Sequence, residues 1–96
     1  MNPRLKTDET DFLCRAIVSL TTEEECYAFL EDILTIGEIQ SVAQRLAVAR
    51  MLDAGQTYDD IERITGASSA TISRVKRCLT FGADGYRLVL DRLNHP

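Results

Sequence analysis

The chain has no tryptophan, two prolines and a single histidine, His95, beside its C-terminus. Each shortage closes off a class of answer. A structural zinc site takes four clustered nitrogen or sulfur ligands. The three cysteines, Cys14, Cys26 and Cys78, form no CxxC pair and only one histidine accompanies them, so no metal centre is expected. With no histidine–acid pair, nucleophile elbow or phosphate-binding glycine loop, enzymatic chemistry has nothing to stand on. No apolar run approaches the roughly 20 residues that cross a bilayer, so no membrane partner is expected. The opening residues, MNPRLKTDETDF, hold no apolar signal core, which makes the cytoplasm the expected location. Apolar–polar alternation bounded by turns is missing too, so no sheet is expected.

What is present describes one folded domain spanning residues 1–96. The composition, 45% hydrophobic and 27% charged, belongs to a globular rather than a disordered chain. A domain this small buries a modest fraction of its surface and would gain from a core shared with a second chain. Its net charge of −4 is unevenly placed. Residues 1–34 set Arg4, Lys6 and Arg15 against eight acids, a balance of −5, which leaves +1 for the remainder. Residues 69–79 carry Arg74, Lys76 and Arg77 and no acid. An acidic body with a basic tip suits a protein that touches a polyanion through one small face. Cys14 and Cys26 fall among apolar residues and are expected as small buried hydrophobes in a reducing compartment.

Periodicity and capping signals define six helices. Residues 1–7 contain Pro3, show no period and are expected to form a loose arm. A first helix fits about 8–20, capped by Thr7 or Asp8, with Phe12, Leu13, Ile17 and Leu20 on one face. Thr22 with Glu25 makes a capping box that opens a second helix, whose apolar face holds Tyr27, Phe29, Leu30, Ile33 and Leu34. Thr35 with Glu38 makes another and opens the longest helix, about 36–54, closed by Gly55. Ala47, Val48 and Met51 leave this third helix apolar almost all round, which a lone small bundle cannot use and a shared core can. A third box, Thr57 with Asp60, opens a short helix to about 65, with Ile61 and Ile64 expected to face inward. Gly66 supplies a turn, and Ser68 caps a helix from 69 to about 80 with Ile72, Val75 and Leu79 as its inner stripe. Asp84 is expected to cap a last helix bearing Tyr86, Val89, Leu90 and Leu93, stopped at Asn94-His95-Pro96.

Residues 57–80 therefore read as two short helices joined by a glycine turn, the plan of a helix-turn-helix that enters the major groove of double-stranded DNA. Such a unit needs small or hydrogen-bonding side chains at the start of its second helix, and Ser68, Ser69, Ala70, Thr71 and Ser73 meet that need. Arg74, Lys76 and Arg77 follow, placed to neutralise phosphates. The alternative reading is a helical dimeric protein-interaction module without DNA binding, motivated by Asp59, Glu62 and the acidic first third.

The stretch TGASSATISR, residues 65–74, resembles the turn and recognition helix of the Trp repressor family, and most of all its YerC/YecD group. The likeness runs back through LTIGEIQSVAQRLAVARMLDAGQTYDDI, residues 34–61. The resemblance implies an all-α, six-helix, Trp-repressor-like fold with a helix-turn-helix, assembled as an intertwined homodimer. It also implies a sequence-specific DNA-binding transcriptional regulator, a repressor. In the family's classical member tryptophan binds between the third helix and the recognition helix. Carried over by residue, Thr35, Arg45 and Arg74 match that effector pocket. Val75 replaces a glycine that makes room for the ligand, so it is expected to project into or beside the pocket, and Cys78 replaces a hydroxyl residue. These departures count against tryptophan. No cofactor is expected, and whether another small-molecule effector or co-repressor binds is left open. Asp59 and Glu62 stand where the classical repressor has basic residues near DNA.

Overall fold

Hydroxyl side chains set where the helices begin. In the computed structural model, which describes residues 1–94, Thr7 Oγ1 accepts the Thr10 amide at 3.0 Å and opens α1, Asp8–Val18. Thr22 Oγ1 accepts the Glu25 amide at 3.1 Å and opens α2, Glu23–Ile33. Thr35 and Glu38 complete a reciprocal capping box at the start of α3, Ile36–Asp53: the Glu38 amide donates to Thr35 Oγ1 at 3.1 Å, and the Thr35 amide to Glu38 Oε1 at 2.9 Å. At α2 the return bond is shifted by one residue, since Glu25 Oε1 accepts the Thr21 amide at 2.8 Å. Hydrogen bonds from the Thr21 and Thr35 amides, and then from their hydroxyls, hold the Glu25 and Glu38 carboxyls below the ordinary carboxylate value.

Three further helices follow: α4, Tyr58–Thr65; α5, Ser69–Phe81; and α6, Gly85–Asn94. The described residues contain six α-helices and no strand, the all-α architecture that the periodicity indicated. The expected stop at Asn94-His95-Pro96 includes positions outside the described residues. Ahead of α1, the expected loose arm forms a 3-10 turn, Pro3–Leu5, and Lys6 Nζ reaches the Asp11 carboxylate at 2.7 Å. Asp84 takes a left-handed φ of 65° and offers its backbone carbonyl to the Leu88 amide at 3.0 Å.

The chain divides into two compact units, Met1–Ile39 and Gln40–Pro96, and α3 runs from the first into the second. In the first unit, neither α1 nor α2 has a buried residue. The expected apolar stripes exist, but Phe12, Ile17, Tyr27 and Ile33 on them are exposed. Ile17, Leu20, Cys26, Phe29 and Leu30 border an unfilled apolar hollow of about 250 Å³. The expected burial of Cys14 and Cys26 is corrected for the same reason. Cys14 is exposed and Cys26 half-buried, because the chain does not cover the faces they occupy.

The second unit has a core. Val48 and Ala49 of α3, Ile61 of α4, Ala67 of the turn, Ile72, Val75 and Leu79 of α5 and Leu90 of α6 are buried together, with Met51, Leu52, Tyr58 and Tyr86 packed against them. Burying a side chain such as Ile61 contributes about 1.5–3 kcal/mol. An Arg87–Asp53 ion pair joins α6 to the end of α3. Ile64 departs from expectation and is 58% exposed. It borders an open hollow of about 820 Å³ that is lined along α3 by Gln40, Ala43, Gln44, Ala47, Arg50 and Met51 and is left unfilled by this chain.

Candidate nucleic-acid interface

Helix α4, the turn at Gly66 and α5 all lie within the second unit. Thr57 Oγ1 accepts the Asp60 amide at 3.2 Å, as expected, but the box is left half-formed. The Asp60 carboxylate accepts from Arg63 Nη2 at 3.2 Å instead. Gly66 stops α4 with φ 73° and ψ 4°, a left-handed conformation in which a Cβ would be strained. Two residues that sequence reasoning passed over hold the turn in place. The Thr65 hydroxyl donates to the Ile61 carbonyl at 2.7 Å and accepts the Ala67 amide at 3.1 Å. Gln44 Nε2 then donates to the Thr65 carbonyl at 3.1 Å, tying the turn to α3. Only the threonine beside the glycine could have signalled this in the sequence; Gln44 lies 21 residues away.

Ser68 starts α5 by accepting the Thr71 amide at 3.2 Å, and its hydroxyl also donates to Thr71 Oγ1 at 3.1 Å. The Ser68 hydroxyl is thus engaged at the helix start, and Thr71 is half-buried. Ser69, Ala70, Ser73, Arg74, Lys76 and Arg77 are exposed. At 3.6 residues per turn, the buried line Ile72–Val75–Leu79 puts Ala70, Ser73 and Arg77 on the opposite, outer ridge. Lys76 falls on one flank, where its ammonium lies 5.7 Å from the centre of the Tyr58 ring. Arg74 and Cys78 fall on the other. One helix thus offers small side chains near its start, a guanidinium on the ridge and a cation on either flank. This distribution can place base-edge groups inside a groove and positive charge against both of its walls. No acid interrupts α5, whereas α4 carries Asp59, Asp60 and Glu62.

The positions carried over for an effector pocket are only partly assembled. Arg45 and Cys78 line one hollow of about 550 Å³ with Val42, Leu46, Tyr86 and Val89, and Arg74 lies outside that lining. Thr35 belongs to the first unit, where it caps α3. Val75, expected to project into or beside the pocket, sits in the core, 1% exposed, and is not among the residues lining this hollow. Its place between Ile72 and Leu79 on the inner stripe dictates this, since the apolar line must point one way. Gly82, which closes the hollow's rim, has backbone neighbours that exclude a side chain: a Cβ there would lie 2.3 Å from the Cys78 carbonyl oxygen. Among the described residues there is no group of three potential metal ligands, and no helix is long and apolar enough to cross a membrane.

Comparison with known proteins gives a consistent set of likenesses. A family model described as Trp repressor protein matches residues 8–94. YerC of Bacillus subtilis (strain 168), an uncharacterized protein, is 59% identical over 90 residues, spanning 94% of this chain and 86% of YerC. The solved structure of a TrpR-like protein from Eubacterium eligens ATCC 27750 superposes with a TM-score of 0.94 at 51% identity, over 98% of this chain and 97% of that one. A Staphylococcus aureus structure named as a candidate Trp repressor has a TM-score of 0.94 at 49% identity, over 100% of this chain and 97% of that one.

Proposed function

Because the chain belongs to the Trp repressor family, whose members are regulators and not enzymes, we propose that it is a transcriptional repressor. It acts in the cytoplasm as a homodimer that binds operator DNA through α4 and α5. The observation that carries this reading is the outer surface of α5, with small groups on its first turn, Arg74, Lys76 and Arg77 beyond, and no acid. Phosphate neutralisation by such cations supplies the bulk of sequence-independent affinity, and base edges in the groove supply the discrimination.

The uncovered stripes on α1 and α2 support the dimer. A soluble monomer rarely leaves so much contiguous apolar surface to water, and a second copy offers the same surface in return. Two recognition helices related by a two-fold axis would read a palindromic operator about one helical turn apart. The hollow bordered by Arg45 and Cys78 is the place where a small-molecule effector would act on α5.

Fluorescence anisotropy on selected genomic fragments, at several salt concentrations, tests the reading. Arg74→Ala with Lys76→Ala removes four cations from the dimer and should reduce the salt slope by about 3.6, at roughly 0.9 per phosphate contact removed. Absence of binding at low salt, or a double variant that binds unchanged, overturns it. Asp59 and Glu62 favour a second reading, a dimeric interaction module that has given up DNA. A stable protein partner whose binding covers α5 would decide for that alternative.

A further inference from the structure

Phe81 is the last residue of α5 and is 82% exposed, a large aromatic ring left in water on the most basic helix of the chain. It lies two turns beyond Ser73 on the same outer surface, and with Ser73, Lys76, Arg77 and Thr80 it borders a shallow open hollow of about 510 Å³. Long side chains on a helix lean back toward its N-terminus, so the ring is carried toward Arg77 and Ser73 rather than off the end of α5. The axial distance from Ser73 to Phe81 is about 12 Å at 1.5 Å per residue, close to the roughly 12 Å width of the major groove. A helix laid across the groove with its first turns over base edges would bring this ring to the groove's edge. There the apolar atoms of DNA are thymine C5-methyl groups and deoxyribose carbons.

We propose that Phe81 is part of the DNA-reading surface and packs against those apolar atoms of the duplex, adding a contact that carries no charge. The proposal rests on the DNA-binding reading of α5. Charge selects the occupant. The ring is flanked by Lys76 and Arg77 with no acid on the helix, a setting complementary to a polyanion. Meeting the same face of a second copy would instead oppose like charges across the contact. Packing a phenyl ring on a thymine methyl is one of the recognised apolar contacts of the major groove.

The test is an anisotropy titration of the selected operator with the wild type, Phe81→Ala, Phe81→Leu and the Arg74→Ala/Lys76→Ala control, each at three salt concentrations. Phe81→Ala should bind about 10-fold more weakly, a loss of about 1.4 kcal/mol, with the salt slope unchanged because no charge is removed. Phe81→Leu should keep most of the affinity. Repeating the wild-type titration on DNA with uracil in place of thymine assigns the contact. A loss marks the methyl group and no loss marks the sugar, provided Phe81→Ala is weak on both duplexes. If Phe81→Ala binds like the wild type while the control is weakened, the proposal fails and the DNA-binding reading stands. If no form binds DNA, the reading itself falls. A Phe81→Ala variant that changes self-association in sedimentation and leaves DNA affinity intact would assign the ring to a second copy and overturn the proposal.

Discussion

Val75→Gly separates two accounts of one residue. Were Val75 a plug in a ligand pocket, glycine would open space at little cost. The structure instead places it 1% exposed in the core with Ile61, Ile72 and Leu90. Trimming to alanine removes two methyl groups, about 1.6 kcal/mol at roughly 0.8 kcal/mol per buried carbon. A remaining void of about 40 Å³ adds about 1 kcal/mol at roughly 24 cal/mol per Å³. Val75→Ala should therefore cost about 2.5 kcal/mol. Glycine loses one more carbon and about 1 kcal/mol of helix propensity, so Val75→Gly should cost about 4 kcal/mol. For a domain of this size each kcal/mol lowers Tm by about 4–8 °C. The assay is thermal and urea unfolding followed by helical circular dichroism. Protein concentration must be fixed, because association would add to the apparent stability. Lys76→Ala, at an exposed neighbour, serves as the control and should stay within about 0.5 kcal/mol. A Val75→Gly protein as stable as the wild type, and newly stabilised by tryptophan, would refute the core assignment.

The Glu25 and Glu38 carboxyls both titrate below their ordinary value in the folded chain. Their contribution is complete above the unfolded-state value, about 4.3, and is lost as pH falls through the depressed folded value. Glu25→Gln with Glu38→Gln should flatten the acid limb of a stability profile below about pH 4.3, and an unchanged limb would contradict this. Asp84 at φ 65° should accept glycine with a gain of about 0.5–1 kcal/mol in urea unfolding; a loss would show that its side chain does more than tolerate the turn. Asp59→Asn with Glu62→Gln should tighten DNA binding about 30-fold at low salt, since the proposed dimer carries four such charges. Each charge about 8 Å from a phosphate costs about 0.5 kcal/mol in water-like surroundings, and unchanged affinity would place α4 away from the backbone.

The local parts of the fold were legible because their causes are local. Thr7, Thr22, Thr35, Thr57 and Ser68 announce their helices within three residues, and each proved to cap one. The inner stripe of α5 followed from spacing alone, and the belt of exposed groups opposite it followed from the stripe. What the sequence hid were matters of cover. Periodicity marks which face of α1 is apolar but not whether this chain closes over it, which is why Cys14 was misplaced. Ile64 is left exposed because it borders a hollow that this chain does not fill, a fact of tertiary proximity. Of the pocket positions taken from resemblance, Arg45 and Cys78 share a hollow, and Val75 went to the core its own spacing had already indicated. The Gln44 bond to the turn bridges distant residues, and no local pattern encodes it.

The run of hydroxyl caps has a consequence for how the protein is made. A boundary fixed by a bond between residues three apart needs no other part of the chain. Helical segments can settle on the microsecond scale, as each emerges during synthesis. In the proposed dimer, closing over the bare faces of α1 and α2 would be another kind of event, since it waits on a collision. A newborn chain would then have its helix boundaries marked while those faces are still open to chaperones and to mispairing.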